Sequence, residues 1–516
     1  MSQPHNLDGT SLTIDQVVAV ARDPSVSVAL APDALARLAE SRTRVELALE
    51  GGATIYGINT GFGKLATVRI ASDQLDELQR NLIRSHAAGV GAPLPVPAVR
   101  AVMVLRANVL LRPTSGVRPA LVEALVNLLN AGIVPLVPEQ GSVGASGDLA
   151  PLSHIAQVVM GEGEALTASG GREPGARALA RAGLTPYRFS PKEGLAFING
   201  TQAQTALLAL MVHDAAVLWR TAMASAAMSL EALRGTPTPF DPRIHQARPH
   251  TGQRQAAEMM RHLLADSEIR ESHRDGDPRV QDAYSLRCLP QVMGPVREAI
   301  DFAERVCAVE LNSSTDNPLV FDDGDVLSGG NFHGQPVAQA LDFLAIALTT
   351  LQAMSERRVE RLVNPDLSQG LPAFLTSDPG LRSGYMMVQI TAAALVAESR
   401  TLATPASVGS IPTDANQEDF VPMGMAAAYK AGRILRNAQR VVAAELLCAV
   451  QGIELLKPLR PGRGVAWLED RIRGLADPAV VPLAEDRSPA PDLERLARAV
   501  SSGGLDPGTY FEGPGE

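Results

Sequence analysis

The residues most able to do chemistry lie in one short run, Gly141-Ser142-Val143-Gly144-Ala145-Ser146-Gly147-Asp148. Six of its first seven residues are Gly, Ser or Ala, so backbone atoms in this run can approach one another closely. Gly147 has no Cβ to block its amide nitrogen from attacking the carbonyl carbon of Ala145. Loss of water from the resulting ring, and then from the Ser146 side chain, leaves a methylidene group conjugated to a carbonyl. The spacing therefore predicts a strong electrophile made from protein alone.

Two simpler interpretations of this run compete with the electrophile. One is an ordinary Gly/Ser surface loop, and the other is a phosphate cradle, which needs Lys followed by Ser or Thr where this chain has Asp148. The unbroken context from Gly141 to His154 resembles the electrophile loop of the aromatic amino acid ammonia-lyases. In that family the loop matures into 4-methylidene-imidazol-5-one (MIO). The resemblance implies that MIO forms autocatalytically from Ala145, Ser146 and Gly147.

Five further segments carry the same resemblance, in matching order along residues 55–420. They are Tyr56-Gly57-Ile58-Asn59-Thr60-Gly61-Phe62-Gly63, Phe197-Ile198-Asn199-Gly200-Thr201-Gln202, Pro278-Arg279-Val280-Gln281-Asp282-Ala283-Tyr284-Ser285-Leu286-Arg287-Cys288-Leu289-Pro290, Asn312-Ser313-Ser314-Thr315-Asp316-Asn317-Pro318 and Gly329-Gly330-Asn331-Phe332-His333-Gly334. The resemblance implies that Tyr56 is the base and that Asn199 polarises the carbonyl of the electrophile. It also places Asn317 and Phe332 near the pocket.

The segment from Pro278 to Pro290 offers groups that could hold a substrate. A short helical segment is predicted between the prolines, and a spacing of three places Gln281, Tyr284 and Arg287 on one broad face. A guanidinium can hold a carboxylate through two parallel hydrogen bonds, although a surface salt bridge would use the same residue type. The resemblance implies that Arg287 binds the substrate carboxylate, and that Gln281 and Tyr284 lie in the pocket.

The identity of the catalytic base stays open in the sequence. An unperturbed phenol titrates near pH ~10, so a tyrosine base needs cationic or hydrogen-bonding neighbours to act at neutral pH. Tyr56 is the preferred candidate, and Tyr284 could share or take that role.

Two positions indicate which ring the pocket accepts. In Ser85-His86, the histidine offers a polar partner to a substrate nitrogen, and an imidazole ring needs such partners whereas a phenyl ring does not. In Asn416-Gln417-Glu418-Asp419, Glu418 can accept a hydrogen bond from an imidazole N–H. A structural histidine and a solvated acid are the competing interpretations. His86 and Glu418 resemble the ring-selecting residues of family members that act on histidine, which implies conversion of L-histidine to trans-urocanate and ammonia.

Residues around the Glu418 loop depart from the pattern expected of a histidine enzyme. They are Thr404-Pro405, Gly409, Phe420 and Pro422. These departures leave open a tyrosine ammonia-lyase or an aromatic amino acid 2,3-aminomutase, which would use the same electrophile. A non-catalytic scaffold descended from the family would be expected to lack the Ala-Ser-Gly tripeptide, and this chain retains it. The nine histidines show no zinc-ligand spacing, so no metal site is expected.

The composition of the chain indicates its cellular compartment and the kinds of partner it can bind. The 516 residues carry a formal net charge of −10, which argues against a nucleic-acid partner. Three cysteines lie far apart without a pair motif, as expected of reduced thiols in the cytoplasm. No secretory signal is visible at the N-terminus, and the apolar stretches near 205–212 and 343–354 are shorter than the ~18 uninterrupted residues of a membrane span. We therefore expect a cytoplasmic enzyme with an amino acid substrate and no membrane partner.

The elements that must position these residues are mostly helical. Apolar residues recur at helical spacing, and no strand-rich segment is visible. Helices are predicted over 73–88, 97–111, 119–131, 201–233, 291–313, 334–363 and 423–457. The long ones predict an all-α fold with an elongated central bundle, and the resemblance implies an ammonia-lyase/fumarase-like architecture. We expect a smaller N-terminal helical region, 1–112, and a bundle region, 113–516. The resemblance further implies a homotetramer with active sites shared between subunits.

Overall fold

The computed structural model of the chain describes residues 4–50, 56–167, 170–476 and 479–511. It is dominated by helices, which confirms the predicted all-α class. The chain forms two compact units, each assembled from segments distant in sequence. The first unit contains Met1–His213, Ala303–Asp342 and Pro405–Tyr429, and the second contains Asp214–Phe302, Phe343–Thr404 and Lys430–Glu516. Because both units combine distant segments, their boundaries differ from the predicted division between residues 112 and 113.

The helices that lie wholly within the first unit surround the predicted electrophile loop in sequence. They are Ile14–Arg22, Pro32–Glu50, Leu75–His86, Val96–Leu110, Pro119–Asn130, Leu149–Val159, Gly175–Arg181 and Glu193–Ile198. The first of these begins with a capping box, in which the Thr13 hydroxyl accepts from the Gln16 amide and the Gln16 side chain accepts from the Thr13 amide. Helix Val96–Leu110 is buried at every position from 98 onward, so it packs on all sides.

Four long helices have residues in both units. They are Gln202–Ala232, Leu289–Glu310, Gln335–Val363 and Gly424–Leu455. Each begins within two residues of its predicted start, which confirms the interpretation of the Ala/Leu/Val-rich runs. Windows in Gln202–Ala232 and Gln335–Val363 are apolar enough to pass for membrane spans, but 67% of each window is buried inside the protein. Such burial is typical of core helices.

The helices wholly within the second unit are shorter. They are Pro242–Ala247, Thr251–Leu263, Glu268–Glu271, Tyr284–Arg287, Met386–Leu402, Arg463–Arg473, Ala490–Ser501 and Gly508–Phe511. The helical segment predicted between Pro278 and Pro290 is therefore only partly correct. Gln281 precedes the short helix Tyr284–Arg287 and does not share a helical face with it. Arg279 bonds the carbonyl oxygen of Leu233, and this contact holds the preceding residues in an irregular conformation.

Short strands, which the sequence did not indicate, occur in the first unit. His5–Leu7 pairs in parallel with Val28–Leu30, and the antiparallel pairings are Val90–Pro93 with Pro138–Gln140, Val134–Pro135 with Glu164–Leu166, Glu164–Leu166 with Arg172–Pro174, and Leu319–Val320 with Val326–Leu327. In the three-stranded sheet, Ala165 lies opposite Glu173. Strands of two to four residues are too short for a period of two to be recognised in sequence.

Candidate active site

The predicted electrophile loop forms a tight turn between two paired glycines. Gly144 and Gly147 pair as an antiparallel bridge, so Ala145 and Ser146 occupy the two central positions of the turn. Gly144 and Gly147 both have a positive φ, of 76° and 72°. The pairing of the two glycines keeps Ala145, Ser146 and Gly147 within one tight turn, which is the compactness that ring closure requires. Neighbouring loops fix the turn from both sides, since the amide of Gly334 donates to Gly144 and the amide of Met423 donates to Val143.

Gly147 packs directly against the backbone of Gly200. A Cβ added at Gly147 would lie 2.3 Å from the carbonyl oxygen of Gly200 and 2.4 Å from its nitrogen. A side chain would also be strained by the positive φ. Only glycine therefore fits at the position whose nitrogen must be unhindered, and the same packing places Asn199 beside the turn.

Asn199 lies at the end of helix Glu193–Ile198 and contacts the turn through its side chain. Its Nδ2 donates to the carbonyl oxygen of Ser146 at 2.7 Å, while its Oδ1 has no hydrogen-bond partner among the described residues. The fully buried Arg106 holds the backbone here, because it donates to the carbonyl oxygens of Ala196 and Asn199. Burial lowers the pKa of Arg106 to about 10. Arg106 escaped the sequence analysis because it stands in an otherwise ordinary helix.

Asp148, the residue after the turn, is a buried anchor. Its carboxylate accepts from the Gln204 amide at 2.8 Å, from the Gln204 side chain at 3.2 Å and from the Ser142 hydroxyl at 3.0 Å. Burial raises the pKa of Asp148 to about 6, against the opposing effect of these hydrogen bonds. The Ser142 hydroxyl in turn accepts from the amide of Gly144. Asp148 therefore links both ends of the turn to helix Gln202–Ala232.

Glu418 reaches the turn from a loop that precedes helix Gly424–Leu455. Its Oε1 accepts from the hydroxyl of Ser146 at 2.5 Å, and its Oε2 accepts from the hydroxyl of Thr413 at 2.5 Å. Backbone hydrogen bonds also join Thr413 and Glu418 in both directions, at 2.9 and 3.3 Å. The residues between them form a closed turn that presents the carboxylate to Ser146. The structure thus brings Ser146, Asn199 and Glu418 together.

Tyr56 lies in an irregular loop. Its hydroxyl oxygen accepts from the amide of Gly63 at 3.2 Å. Burial and the negative charges of Asp414 and Glu418 raise the pKa of the Tyr56 phenol, and the Gly63 hydrogen bond opposes this change. These two acids belong to one turn, and Asp414 contacts the Tyr56 loop by accepting from the amide of Lys64. They also oppose formation of the phenolate, which a catalytic base requires.

His86 is the last residue of helix Leu75–His86, and its ring is half-buried. Its Nδ1 lies 2.9 Å from the carbonyl oxygen of Leu82, which can only accept, so Nδ1 carries the proton. Burial lowers the pKa of His86, and Asp414 and Glu418 raise it less strongly. The neutral ring therefore presents Nε2 as an acceptor close to the Glu418 loop. A substrate N–H is a suitable donor to that nitrogen.

The two remaining predicted residues of the first unit lie in loops beside the turn. Asn317 is buried and uses its side chain locally, since its Nδ2 donates to Ser328 at 3.1 Å and its Oδ1 accepts from the Gly329 amide at 2.7 Å. Phe332 is half-buried, two residues before the Gly334 amide that bonds Gly144. Phe420, one of the departures noted in the sequence, stacks on His333 with ring centroids 6.1 Å apart.

Gln281, Tyr284 and Arg287 belong to the second unit. The guanidinium of Arg287 lies over the ring of Tyr284, 4.6 Å from its centroid, and Tyr284 is 69% exposed. The Nε of Arg287 is buried without a hydrogen-bond partner among the described residues. A buried and unpaired donor on an arginine is suited to an anionic ligand. Gln281 is exposed.

Asp414 is a charged residue of the site that sequence reasoning missed. Its Oδ2 accepts from the amide of Lys64 at 3.0 Å, one residue beyond the amide that bonds Tyr56. The segment Asn416–Asp419 attracted attention in the sequence, whereas Asp414 stood outside it. A contact between residues 350 positions apart leaves no local signal.

The helical fold and the Gly-Ala-Ser-Gly turn with its asparagine donor together indicate a class of lyase. Comparison with known proteins identifies the family. The family model for aromatic amino acid lyases matches residues 12–474, so the chain belongs to the aromatic amino acid lyase family. The chain is 52% identical to a histidine ammonia-lyase of Anaeromyxobacter sp. (strain K), covering 97% of this chain and 99% of the relative.

Solved structures agree with this assignment. The crystal structure of histidine ammonia-lyase from Trypanosoma cruzi has a TM-score of 0.90 and 43% identity, over 98% of this chain and 94% of that one. A tyrosine aminomutase from Streptomyces globisporus has a TM-score of 0.91 and 39% identity, over 98% of each chain.

Proposed function

We propose that this protein is a histidine ammonia-lyase, which converts L-histidine to trans-urocanate and ammonia through an MIO group made from Ala145, Ser146 and Gly147. The observation that carries the proposal is the arrangement of the turn, in which Asn199 contacts the Ser146 carbonyl and Glu418 contacts the Ser146 hydroxyl. The similarity to histidine ammonia-lyases over 97% of the chain supports the same substrate.

Three features of the turn fit an MIO group. The paired glycines keep Ala145, Ser146 and Gly147 within one tight turn, and the position of Gly147 excludes any side chain. The Ser146 carbonyl, which would remain on the ring, already accepts a hydrogen bond from Asn199. When formed, MIO supplies an electrophile that takes up the substrate amine and makes it a leaving group.

Asn199 and Glu418 then act on either side of that group. Negative charge that develops on the Ser146 carbonyl oxygen is stabilised by the Nδ2 donor, which is already fixed in place. Dehydration of Ser146 removes the hydroxyl that occupies Oε1 of Glu418. The carboxylate is then available to accept an N–H from the imidazole ring of the substrate.

His86 holds the other nitrogen of the imidazole. The Nδ1–H of His86 donates to the carbonyl oxygen of Leu82, so the neutral ring can accept a hydrogen bond at Nε2. A substrate imidazole N–H can donate to Nε2, whereas a phenyl ring has no such donor. Leaving that buried acceptor unpaired disfavours a phenylalanine side chain in the same place. Phe332 and Asn317 border this region through the loop that contacts Gly144.

Tyr56 serves as the base that removes the β-proton, and Tyr284 is the alternative. Arg287 binds the substrate carboxylate through two hydrogen bonds from its planar guanidinium group. Gln281 and Tyr284 help to orient the substrate. The family resemblance supports these assignments, and the unpaired Nε of Arg287 supports the anion site.

A tyrosine aminomutase is the second candidate. The Nε2 acceptor of His86 would also bind a phenol O–H, and an aminomutase structure is similar at 39% identity. The two candidates differ in product, because an aminomutase returns the amine to the β-carbon and releases no free ammonia.

The deciding experiment incubates the purified protein separately with L-histidine, L-tyrosine and L-phenylalanine. Ultraviolet absorbance distinguishes the three acrylates, and free ammonia is measured in parallel. We expect urocanate and one equivalent of ammonia from histidine alone. Reaction with tyrosine alone would contradict the roles given to His86 and Glu418, and a β-amino acid product without ammonia would establish the aminomutase.

The assembly and compartment are part of the proposal. Val280 is 96% exposed and Leu381 is 81% exposed in the single chain, and Tyr284 is also exposed, which favours coverage of these residues by other copies. A homotetramer whose active sites combine loops of more than one subunit accounts for this exposure. The cysteines are free, as is usual in the cytoplasm. Light scattering of the purified protein measures the number of copies.

A further inference from the structure

Two consecutive backbone amides hold two acidic oxygens side by side at the edge of the candidate site. The amide of Gly63 donates to the phenol oxygen of Tyr56 at 3.2 Å, and the amide of Lys64 donates to Oδ2 of Asp414 at 3.0 Å. A Cβ added at Gly63 would lie 2.1 Å from the same carboxylate oxygen. The carboxylate of Asp414 therefore packs on the peptide that binds the Tyr56 oxygen.

The backbone of Asp414 is held in an unusual conformation that aims the side chain this way. Asp414, Ala415 and Asn416 all have positive φ, of 47°, 50° and 66°. Three successive non-glycine residues in the left-handed region cost free energy, and the closed pairing of Thr413 with Glu418 holds them there. The turn thus carries two carboxylates with different contacts, Glu418 on Ser146 and Asp414 on the Tyr56 loop.

We propose that Asp414 is a positioning residue that fastens the Tyr56 loop to the Glu418 loop and holds a carboxylate beside the Tyr56 phenol. This inference rests on the proposed function only in taking Tyr56 as the base. The carboxylate acts through its fixed place beside the phenol and does not touch the reacting atoms of the substrate.

Among the described residues, two carboxylates act on the Tyr56 phenol. Asp414 and Glu418 both raise its pKa by their negative charge, burial raises it further, and the Gly63 hydrogen bond lowers it. His86 faces the same two acids, and its ring is kept neutral by burial. Removing the charge of Asp414 therefore favours the Tyr56 phenolate at any given pH. The ascending limb of a pH–rate profile that reports this phenolate moves to lower pH.

Asparagine and alanine variants separate the charge of Asp414 from its hydrogen bond. Asparagine tolerates a positive φ and keeps an oxygen acceptor for the Lys64 amide, so Asp414→Asn removes little more than the charge. Asp414→Ala removes both. Asp366→Asn, at an exposed acid of the second unit, is the matched control for charge.

The Tyr56 phenol is titrated directly by following tyrosinate absorbance against pH. Its titration is the absorbance of each protein minus that of the same protein carrying Tyr56→Phe. The chain has six tyrosines, so one missing phenol is measurable. In both Asp414→Asn and Asp414→Ala, we expect the Tyr56 titration and the ascending limb of the kcat/KM profile to move to lower pH. We expect KM to rise only in Asp414→Ala. Asp366→Asn should titrate like the wild type.

An unchanged Tyr56 titration in a folded Asp414→Asn protein overturns the inference, whatever the activity. Absence of ammonia release from the wild type instead overturns the proposed function, and the titration still tests Asp414. If the variants do not fold, wild-type protein is titrated at low and high salt. Because Asp414 is exposed, salt should screen it and lower the Tyr56 titration midpoint. A midpoint independent of salt contradicts the proposal.

Discussion

The side-chain amide of Asn199 donates to the carbonyl oxygen of Ser146 at 2.7 Å. In the proposed MIO group, the same carbonyl would remain on the ring after condensation of Ala145 with Gly147. A donor fixed on this oxygen by its own packing does not need to reorganise when negative charge builds up there. The fold therefore holds this donor in place through its own packing.

Replacing Asn199 with alanine removes this donor. We expect kcat for histidine to fall by about 10²- to 10³-fold, the usual effect of deleting one donor to a developing oxyanion, with a smaller change in KM. Steady-state kinetics provide the measurement. Asn6→Ala, at an exposed asparagine, is the control and should behave like wild type. An undiminished kcat in Asn199→Ala would remove this residue from the mechanism.

Replacing Ser146 with alanine prevents formation of the methylidene group. The wild-type chain should be lighter than its sequence by the mass of two waters, and Ser146→Ala cannot lose the water that comes from the serine side chain. Intact-mass spectrometry checks both statements, and turnover should fall close to background. Ser313→Ala changes one hydroxyl elsewhere in the first unit and should keep the double water loss. A wild-type mass equal to that of the open chain, in an active preparation, would refute the MIO proposal.

His86→Leu tests selection of the ring. The variant leaves the imidazole N–H of the substrate without its acceptor, which costs about 1–3 kcal/mol, or roughly 5- to 150-fold in kcat/KM for histidine. Phenylalanine should improve relative to histidine because its ring needs no acceptor. Competition between the two amino acids measures the ratio. His250→Leu, the same substitution at an exposed histidine of the second unit, is the control. A ratio unchanged by His86→Leu would place the selector elsewhere.

The long helices and the electrophile turn could be predicted from the sequence, for different reasons. Helices such as Gln202–Ala232 carry many turns of consistent apolar spacing, so the first residues of the long helices were predicted within two residues. The turn was recognised from its run of small residues, which local chemistry explains. Asn199 and Glu418 came from the family resemblance, and the structure places both on Ser146.

The features that sequence reasoning missed depend on contacts between distant segments. The irregular residues before Tyr284 are held by Arg279 on Leu233, and Asp414 acts through the Lys64 amide, 350 residues away. Arg106 supports Asn199 from a helix whose apolar pattern predicts only burial. Local propensity contains no information about such partners.

Arg287→Lys tests the carboxylate site. Lysine keeps the charge but cannot form two parallel hydrogen bonds, so KM for histidine should rise by about 10- to 100-fold with a smaller change in kcat. Arg287→Gln should be worse than Arg287→Lys, because it also loses the charge. Arg463→Lys, at an arginine paired with the exposed Asp266, is the control. An unchanged KM in both Arg287 variants would show that the carboxylate binds elsewhere.

Glu231 gives the second unit a stability that depends on pH. It is buried, and both carboxylate oxygens accept from the amide of Gly462 at 3.0 Å. Burial raises the pKa of Glu231 from 4.5 to about 7. Because the folded-state pKa is the higher one, its stabilising contribution is complete below pH 4.5 and is lost as the pH rises toward 7.

Glu231→Gln keeps an acceptor for Gly462 without a proton to lose. The thermal midpoint of the wild type should therefore fall relative to that of Glu231→Gln as the pH rises from about 4.5 to 7. Thermal melts at matched ionic strength measure this difference. Glu485→Gln, whose parent side chain is 84% exposed, should run parallel to the wild type across the same range. Parallel curves for Glu231→Gln and the wild type would mean that Glu231 stays ionised in the folded protein, with the Gly462 amide outweighing its burial.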